Sequence, residues 1–164
     1  MDIKPRNVLI GSDLKLKLAD FDSSYVEYVD SKIRGSGTCS FRSEELHNGT
    51  CTKPKAADIF SLGLLLFVLF TGNYAFIEGE TLKGHDLQSM VMNSEDRYWK
   101  ISAELSATQE IKDEEFKSLF FSMVKKDPKD RLTIEQVIES KWYNGEVYGD
   151  EEYKRELEKY LKTI

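Results

Sequence analysis

The 164-residue chain lacks the features that mark several classes of protein. Its two cysteines, Cys39 and Cys51, are too few for a disulfide framework, so a reducing compartment is expected. Together with His47 and His85 they form no metal-ligand spacing. The N-terminus has no signal-peptide pattern. A net charge of -6 argues against nucleic acid or an anionic membrane as the main partner.

Long apolar segments are also scarce, and the one exception runs from Asp58 to Gly72. Only Ser61 and Gly63 interrupt its apolar residues over 59–70. A helix that is apolar on all sides is buried on all sides. This stretch reaches roughly 18 Å, short of the roughly 30 Å core of a bilayer. The pattern therefore favours a central core helix over a membrane span.

The sequence marks both ends of this helix. Asp58 is predicted to cap the first turn, and Gly72 with Asn73 suits a left-handed stop. Gly63 lowers helix propensity by about 1 kcal/mol relative to Ala, so a close backbone contact is expected there. Other elements are then expected to cover every side of the helix.

Ahead of the central helix, the pattern predicts a loop and a β-hairpin. Pro5 fixes its own φ and disfavours helix at the preceding residue, so residues 2–7 form a loop. Residues 8–10 are typical of a short strand, and residues 11–13 of a turn. The second, half-buried strand is predicted from leucines that alternate with lysines: Leu14, Leu16 and Leu18.

Because this hairpin returns the chain to Asp20, Asp2 and Asn7 can meet Asp20 at one end of it. An acceptor, a cation and two oxygen ligands suit phosphoryl transfer. Asp2 can accept a hydroxyl proton and Lys4 can neutralise a phosphate, while Asn7 and Asp20 can hold Mg2+. Taken singly, the same residues are ordinary loop groups, and Asp20 caps a turn.

In combination, these stretches resemble the protein kinase family. The loop from Asp2 to Asn7 is similar to the catalytic loop of the serine/threonine type, since Lys4 follows Asp2 by two residues. Asp20-Phe21-Asp22 resembles the metal-binding motif. The remaining matches are Gly37-Thr38, Glu45, Asp58 to Gly63, Asp127 to Thr133, and Lys141-Trp142-Tyr143. The resemblance covers about residues 2–143.

The resemblance implies a mainly α fold with a small β-hairpin, the C-terminal lobe of a kinase built around a buried central helix. Residues 1–143 would form this lobe, and residues 144–164 a C-terminal extension with a terminal helix. Residues 20–45 would be the activation segment. The terminal helix carries one stripe formed by Tyr153, Leu157, Tyr160, Leu161 and Ile164. This stripe is expected either to dock on the lobe or to begin a regulatory tail, as in calcium/calmodulin-dependent-type kinases.

The resemblance also implies roles for single residues. Asp2, Lys4 and Thr38 would be catalytic, with Thr38 bonding the other two. Lys4 would also bind ATP together with Asn7 and Asp20, of which Asn7 and Asp20 would hold Mg2+. Structural roles fall to Glu45, Asp58 and Arg131, with Glu45 paired to Arg131. The implied partners are ATP and a protein with a Ser or Thr acceptor, in the cytoplasm.

The chain departs from the family pattern at several places. Asp22 replaces the Gly of Asp-Phe-Gly, where Gly supplies backbone freedom, and Ser43-Glu44-Glu45 replaces Ala-Pro-Glu. The His-Arg pair before the catalytic Asp and the whole small lobe have no counterpart. The chain therefore looks truncated, and we expect it to be poorly active unless the small lobe or a regulatory partner completes it.

Two other functional hypotheses remain open at this stage. A degenerate kinase lobe could act as a binding or scaffold module that transfers no phosphate. An unrelated helical protein could carry the motifs by chance.

The helices predicted after residue 72 are near Leu87 to Val91, Asp113 to Val124, after the capping box Thr133/Gln136, and after Asp150. The second of these helices is amphipathic, and the residues of its apolar face are Phe116, Leu119, Phe120, Met123 and Val124. The helix after the capping box is expected to point Ile134, Val137 and Ile138 inward.

Overall fold

The computed structural model describes residues 2–24, 37–49, 51–75, 96–100 and 111–162. The described parts contain two strands, β1 and β2, and five named helices, α1 to α5. Residues 96–100 are also helical. The bounds are β1 Val8–Ile10, β2 Leu16–Leu18, α1 Glu44–His47, α2 Pro54–Thr71, α3 Glu114–Met123, α4 Ile134–Ile138 and α5 Asp150–Leu161. The mainly helical fold with one small antiparallel hairpin is confirmed. The helix predicted near residues 87–91 lies outside the described residues.

Helix α2 is the central helix, but it begins earlier than predicted. Pro54 occupies its first turn, where a missing N–H costs nothing, and Lys53 is the N-cap. Asp58 therefore lies inside the helix, and the predicted cap at this residue is wrong. The predicted stop is confirmed, since Gly72 has a φ of 72° and donates its N–H to the Val68 carbonyl at 2.8 Å.

Helix α3 packs directly on α2, and the contact explains Gly63. A Cβ at this position would lie 3.0 Å from Val124 Cγ1 and 3.1 Å from Met123 Cβ. The close backbone approach expected from the sequence is therefore confirmed. The predicted apolar face of α3 is also confirmed, because all five of its residues are buried: Phe116, Leu119, Phe120, Met123 and Val124.

Burial of α2 is not complete along its length. Phe67 is 1% exposed, whereas Leu69 and Phe70 in the last turn are 57% and 44% exposed. The expectation that every side is covered is thus wrong for the C-terminal turn. By length and composition α2 is apolar enough to cross a membrane. Its packing against α3 makes it a core helix.

The β-hairpin forms in the predicted place, with Val8 paired to Leu18 and Ile10 to Leu16. Leu14 belongs to the turn, where its φ is 60°, and not to the strand. All three residues of β2 are exposed, so the half-buried strand is a wrong prediction. Alternation shows which residues share a face, but it does not show what covers that face.

The last two helices differ from prediction in what they bury. The capping box of Thr133 and Gln136 is confirmed, yet Ile134 and Ile138 of α4 are 45% and 46% exposed, and only Val137 points inward. Helix α5 starts after Gly149 and buries none of its residues fully. It contacts the hairpin through Tyr153, whose hydroxyl donates to the Leu14 carbonyl at 2.9 Å.

Candidate active site

The loop before β1 is folded on itself by short-range bonds. Pro5 starts a 3-10 turn over Pro5–Asn7, and the Asn7 N–H donates to the Lys4 carbonyl at 3.0 Å. The buried Asn7 side chain donates Nδ2 to the Asp2 carbonyl at 2.8 Å. These bonds hold Asp2 and Lys4 on one side of the loop.

Asp2, Lys4 and Thr38 form a triangle of hydrogen bonds. Lys4 Nζ lies 2.5 Å from Asp2 Oδ2 and 2.7 Å from Thr38 Oγ1. Asp2 Oδ1 accepts from the Thr38 N–H at 2.7 Å and from the Thr38 hydroxyl at 2.9 Å. The structure thus brings together all three residues predicted to be catalytic, although Thr38 lies 36 residues from Asp2 in the chain.

This environment keeps the Asp2 carboxylate ionised. Burial favours the neutral acid, but the hydrogen bonds from Lys4 and Thr38 and the charge of Lys4 outweigh it and hold the pKa of Asp2 below its ordinary value. At neutral pH Asp2 is therefore an anionic hydrogen-bond acceptor next to a fixed cation. That combination can orient a hydroxyl group and stabilise a neighbouring negative charge.

Asp20 lies close to Asn7 along the backbone. The Ala19 N–H donates to the Asn7 carbonyl at 2.8 Å, and Asp20 follows directly, with an exposed side chain. Its φ is 63°, the left-handed region that Asp tolerates better than most residues. Asp22, which replaces the motif Gly, is not among the described residues with positive φ.

The oxygen atoms of Asn7 and Asp20 suit a hard cation. The Asn7 amide donates through Nδ2 to Asp2, which leaves Oδ1 as its acceptor, and Asp20 contributes a carboxylate. Within the described ranges, no cluster of three or more His, Cys, Asp and Glu side chains could hold a metal alone. An amide oxygen and one carboxylate fit Mg2+, which keeps other oxygen ligands such as waters and phosphates.

Glu45 and Arg131 are in direct contact. Arg131 Nη1 donates to Glu45 Oε1 at 2.6 Å and Nη2 donates to Oε2 at 2.9 Å, a bidentate pair. The Arg131 side chain is fully buried. Burial opposes ionisation of Glu45, but the bonds and charge of Arg131 prevail and hold the pKa of Glu45 below its ordinary value.

The third predicted structural residue is Asp58. It lies partly buried in α2, and this burial raises its pKa. It lines a groove of about 740 Å³ together with Ile59, Leu62 and Ile134. Ile3, the residue after Asp2, and Arg131 line the same groove.

One contact near the triangle was missed by sequence reasoning. The Arg42 side chain donates to the Gly37 carbonyl through Nε at 2.6 Å and also through Nη2. Gly37 has a φ of 89°, a conformation that favours glycine. The sequence indicated that Gly37 and Thr38 belong to the site. Nothing in the pattern indicates which side chain binds the Gly37 carbonyl.

Comparisons with known proteins agree with this geometry. The protein kinase domain family matches residues 1–143. Serine/threonine-protein kinase GRIK1 of Arabidopsis thaliana is 30% identical over 154 residues, which cover 93% of this chain and 36% of that protein. Serine/threonine-protein kinase kin-29 of Caenorhabditis briggsae is 30% identical over 144 residues, covering 86% of this chain and 16% of that protein.

A third relative extends the match toward the C-terminus. The calcium and calcium/calmodulin-dependent serine/threonine-protein kinase of Pisum sativum is 28% identical over 165 residues, 95% of this chain and 28% of that protein. The chain thus spans about a third or less of the length of these curated relatives. With the family matched over most of its length, the chain belongs to the protein kinase domain family.

Proposed function

We propose that this chain is the C-terminal lobe of a serine/threonine protein kinase domain, which transfers the γ-phosphate of ATP to Ser or Thr of a protein substrate. The observation that carries the proposal is the triangle of Asp2, Lys4 and Thr38, in which four hydrogen bonds hold an ionised carboxylate and a cation together. Three relatives named as serine/threonine-protein kinases support the same acceptor type.

Each residue of the triangle has a proposed task. Asp2 accepts the hydrogen bond of the substrate hydroxyl and takes its proton as the new O–P bond forms and the bond between the γ-phosphorus and ADP breaks, with ADP as the leaving group. Lys4 places a cation beside the transferred phosphate, where negative charge is spread in the transition state. Thr38 holds Asp2 and Lys4 in one geometry, because its hydroxyl bonds both of them. Positioning of this kind supplies much of the rate in phosphoryl transfer.

Asn7 and Asp20 are the proposed ligands for Mg2+ and, with Lys4, the residues that contact ATP. When bound, Mg-ATP supplies the phosphoryl group and a cation that neutralises its charge. The fit rests on the donor set, since both side chains offer oxygen and Mg2+ prefers oxygen. Asn7 has its amide orientation fixed by the bond to Asp2, and Asp20 has an exposed carboxylate in reach of solvent.

The same lobe leaves one wall of the site open. Apolar side chains of the hairpin and the residue after Asp20 are about half exposed or more: Leu9, Ile10, Leu16, Leu18 and Phe21. Electrostatic contacts weaken where water enters, and little apolar surface closes over a bound base. We therefore propose that a small lobe or a regulatory partner covers this wall, and that the chain alone transfers phosphate poorly. The proposal includes an intracellular, cytoplasmic location.

The exposed apolar hairpin also favours a second function, a binding module that is derived from a kinase lobe and transfers no phosphate. Monomeric proteins rarely leave contiguous apolar patches of this kind uncovered. Asp22 in place of the motif Gly supports the same alternative by adding a charge next to the proposed metal ligand Asp20.

Peptide phosphorylation distinguishes the two functions. The chain, joined to the small lobe of a related kinase, would be mixed with Mg-ATP and a Ser/Thr peptide. Asp2→Ala and Asp20→Ala should each lower turnover by at least about a hundredfold, the scale of losing one positioned charged group. Asp13→Ala, an exposed aspartate in the turn at the other end of the hairpin, is the matched control. Wild-type turnover in both site variants would contradict the assignment, and absence of transfer in every protein would favour the binding module.

A further inference from the structure

The peptide between Gly37 and Thr38 is held from both sides. On one side the Gly37 carbonyl accepts from Nε of Arg42 at 2.6 Å and from Nη2 of the same guanidinium. On the other side the Thr38 N–H donates to Asp2 Oδ1 at 2.7 Å. A trans peptide is planar, with its C=O and N–H pointing in opposite directions. An arginine that fixes the carbonyl therefore also fixes the direction of the N–H.

The backbone of this segment is anchored independently of the Arg42 side chain. The turn Cys39–Phe41 is closed by the Phe41 N–H to the Thr38 carbonyl at 3.0 Å and by the Arg42 N–H to the Cys39 carbonyl at 3.1 Å. Ser61 of α2 donates its hydroxyl to the Phe41 carbonyl at 2.7 Å. Loss of the guanidinium would leave these bonds, so its effect should be confined to the Gly37–Thr38 peptide.

The charge of Arg42 also acts on the peptide it binds. A cation at a carbonyl oxygen polarises the amide and strengthens the N–H as a donor, because hydrogen bonds in a chain reinforce one another. The acceptor at the other end is ionised Asp2, which also receives the Lys4 ammonium and the Thr38 hydroxyl. The chain of contacts runs from the Arg42 guanidinium through one peptide to the carboxylate.

We propose that Arg42 is a positioning residue of the site: it clamps the Gly37–Thr38 peptide so that the Thr38 N–H is aimed at Asp2. Arg42 acts through this peptide and does not itself touch the reacting groups. The proposal rests on the proposed function only in that Asp2 is the acceptor of the substrate proton. The clamp itself concerns only the Gly37–Thr38 peptide and its bond to Asp2. Glycine at position 37 is part of the device, because its φ of 89° turns the carbonyl toward Arg42.

The test reads the Thr38 amide directly by NMR in the 15N-labelled chain. Arg42→Met keeps the aliphatic stem and removes every donor, Arg42→Lys restores one cationic donor, and Arg6→Met is an exposed arginine control from the loop after Lys4. We expect Arg42→Met to shift the Thr38 amide proton upfield and to speed its solvent exchange about tenfold or more. Arg42→Lys should recover part of both changes. The buried Phe120 amide should stay unchanged in all three.

The possible outcomes decide the proposal without any measurement of phosphate transfer. An unchanged Thr38 shift and exchange rate in Arg42→Met overturns it. So does a loss that spreads equally to Phe120, or an Arg42→Met protein that is unfolded, because either result assigns Arg42 a global structural role. A local Thr38 change with lysine rescue supports the clamp even if Asp2 proves to transfer no phosphate, so the two failures are distinguishable.

Discussion

The Glu45–Arg131 pair gives the sharpest stability prediction, because the contacts of the buried guanidinium can be counted. A guanidinium has five N–H donors. Two of them reach Glu45 at 2.6 and 2.9 Å. The other three reach the carbonyls of Lys125 at 2.8 Å, Ala56 at 2.9 Å and Lys126 at 3.2 Å. The pair therefore joins α1 to α2 and to the turn after α3.

The expected magnitudes follow from what each substitution leaves behind. Glu45→Ala strands a fully buried cation and should cost about 3–5 kcal/mol of unfolding free energy. Arg131→Ala also leaves three carbonyls without this donor and removes the guanidinium from the Phe60 ring, whose centroid lies 4.9 Å away. Its cost should reach the upper end of that range. The double mutant should cost about 1.5–3 kcal/mol less than the sum of the two.

Urea unfolding of the four proteins measures this coupling. With a slope of about 2 kcal/mol per M, a loss of about 3 kcal/mol lowers the midpoint by roughly 1.5 M. Glu44→Ala is the matched control, since Glu44 lies 3.7 Å from Lys126 in an exposed pair and should change stability by less than about 0.5 kcal/mol. Additive costs of Glu45→Ala and Arg131→Ala would refute the claim that these side chains form one buried pair.

Three further predictions concern the core, pH and nucleotide. Phe67→Ala should lower the unfolding free energy by about 3–5 kcal/mol, because its ring lies 5.1 Å from the Phe120 ring and is almost fully buried. Leu69→Ala, at an exposed position of the same helix, should cost much less. Equal urea midpoints of the two variants would argue against a central α2. Because the pKa of Glu45 is lower in the folded state, its ionisation stabilises the fold at pH values above its unfolded pKa of about 4.3, and this gain is lost as pH falls through the lower folded pKa. The difference in urea midpoint between wild type and Glu45→Gln should therefore shrink from pH 7 to pH 3, and a constant difference would oppose this. Millimolar Mg-ATP should raise the Tm of the chain alone by less than about 2 °C, and a rise above about 5 °C would mean that the open cleft binds nucleotide well.

Prediction from the sequence was most accurate for helix ends and for close packing, where a single residue type determines the local structure. Thr133 and Gln136 close their predicted capping box, which is a short-range contact within one turn. The helix predicted from Asp113 is α3, and Asp113 is its N-cap, accepting the Phe116 N–H at 2.9 Å. Gly63 was also assigned correctly, since only a close neighbour explains a glycine in an apolar helix. These elements form the core, and none of Asp2, Lys4 and Thr38 lies in them.

The predictions failed where the outcome depends on distant groups. The Leu16 and Leu18 face is exposed because period-2 alternation does not specify a covering element. Ile134 and Ile138 face outward for the same reason. Asp58 was taken for a cap because it precedes the apolar run, whereas Pro54 starts the helix a full turn earlier.

The site was predictable only in part. The contact between Thr38 and Asp2, which lie 36 residues apart in the chain, was predicted from the family resemblance and not from periodicity. The Arg42 contact could not be read from the sequence, because it depends on the left-handed φ of Gly37 and on a turn that directs the side chain back along the segment. The positive φ of Asp20 likewise follows from how the hairpin joins Asn7.

In the proposed function, this chain supplies the phosphate-transferring half of a kinase site and needs a second wall to use it. The most direct measurement compares Ser/Thr peptide phosphorylation by the chain alone and by the chain joined to a small lobe, each as wild type and Asp2→Ala. We expect near-background transfer by the chain alone and transfer by the joined protein that Asp2→Ala abolishes. Robust transfer by the chain alone, or transfer by the joined protein that survives Asp2→Ala, would contradict it.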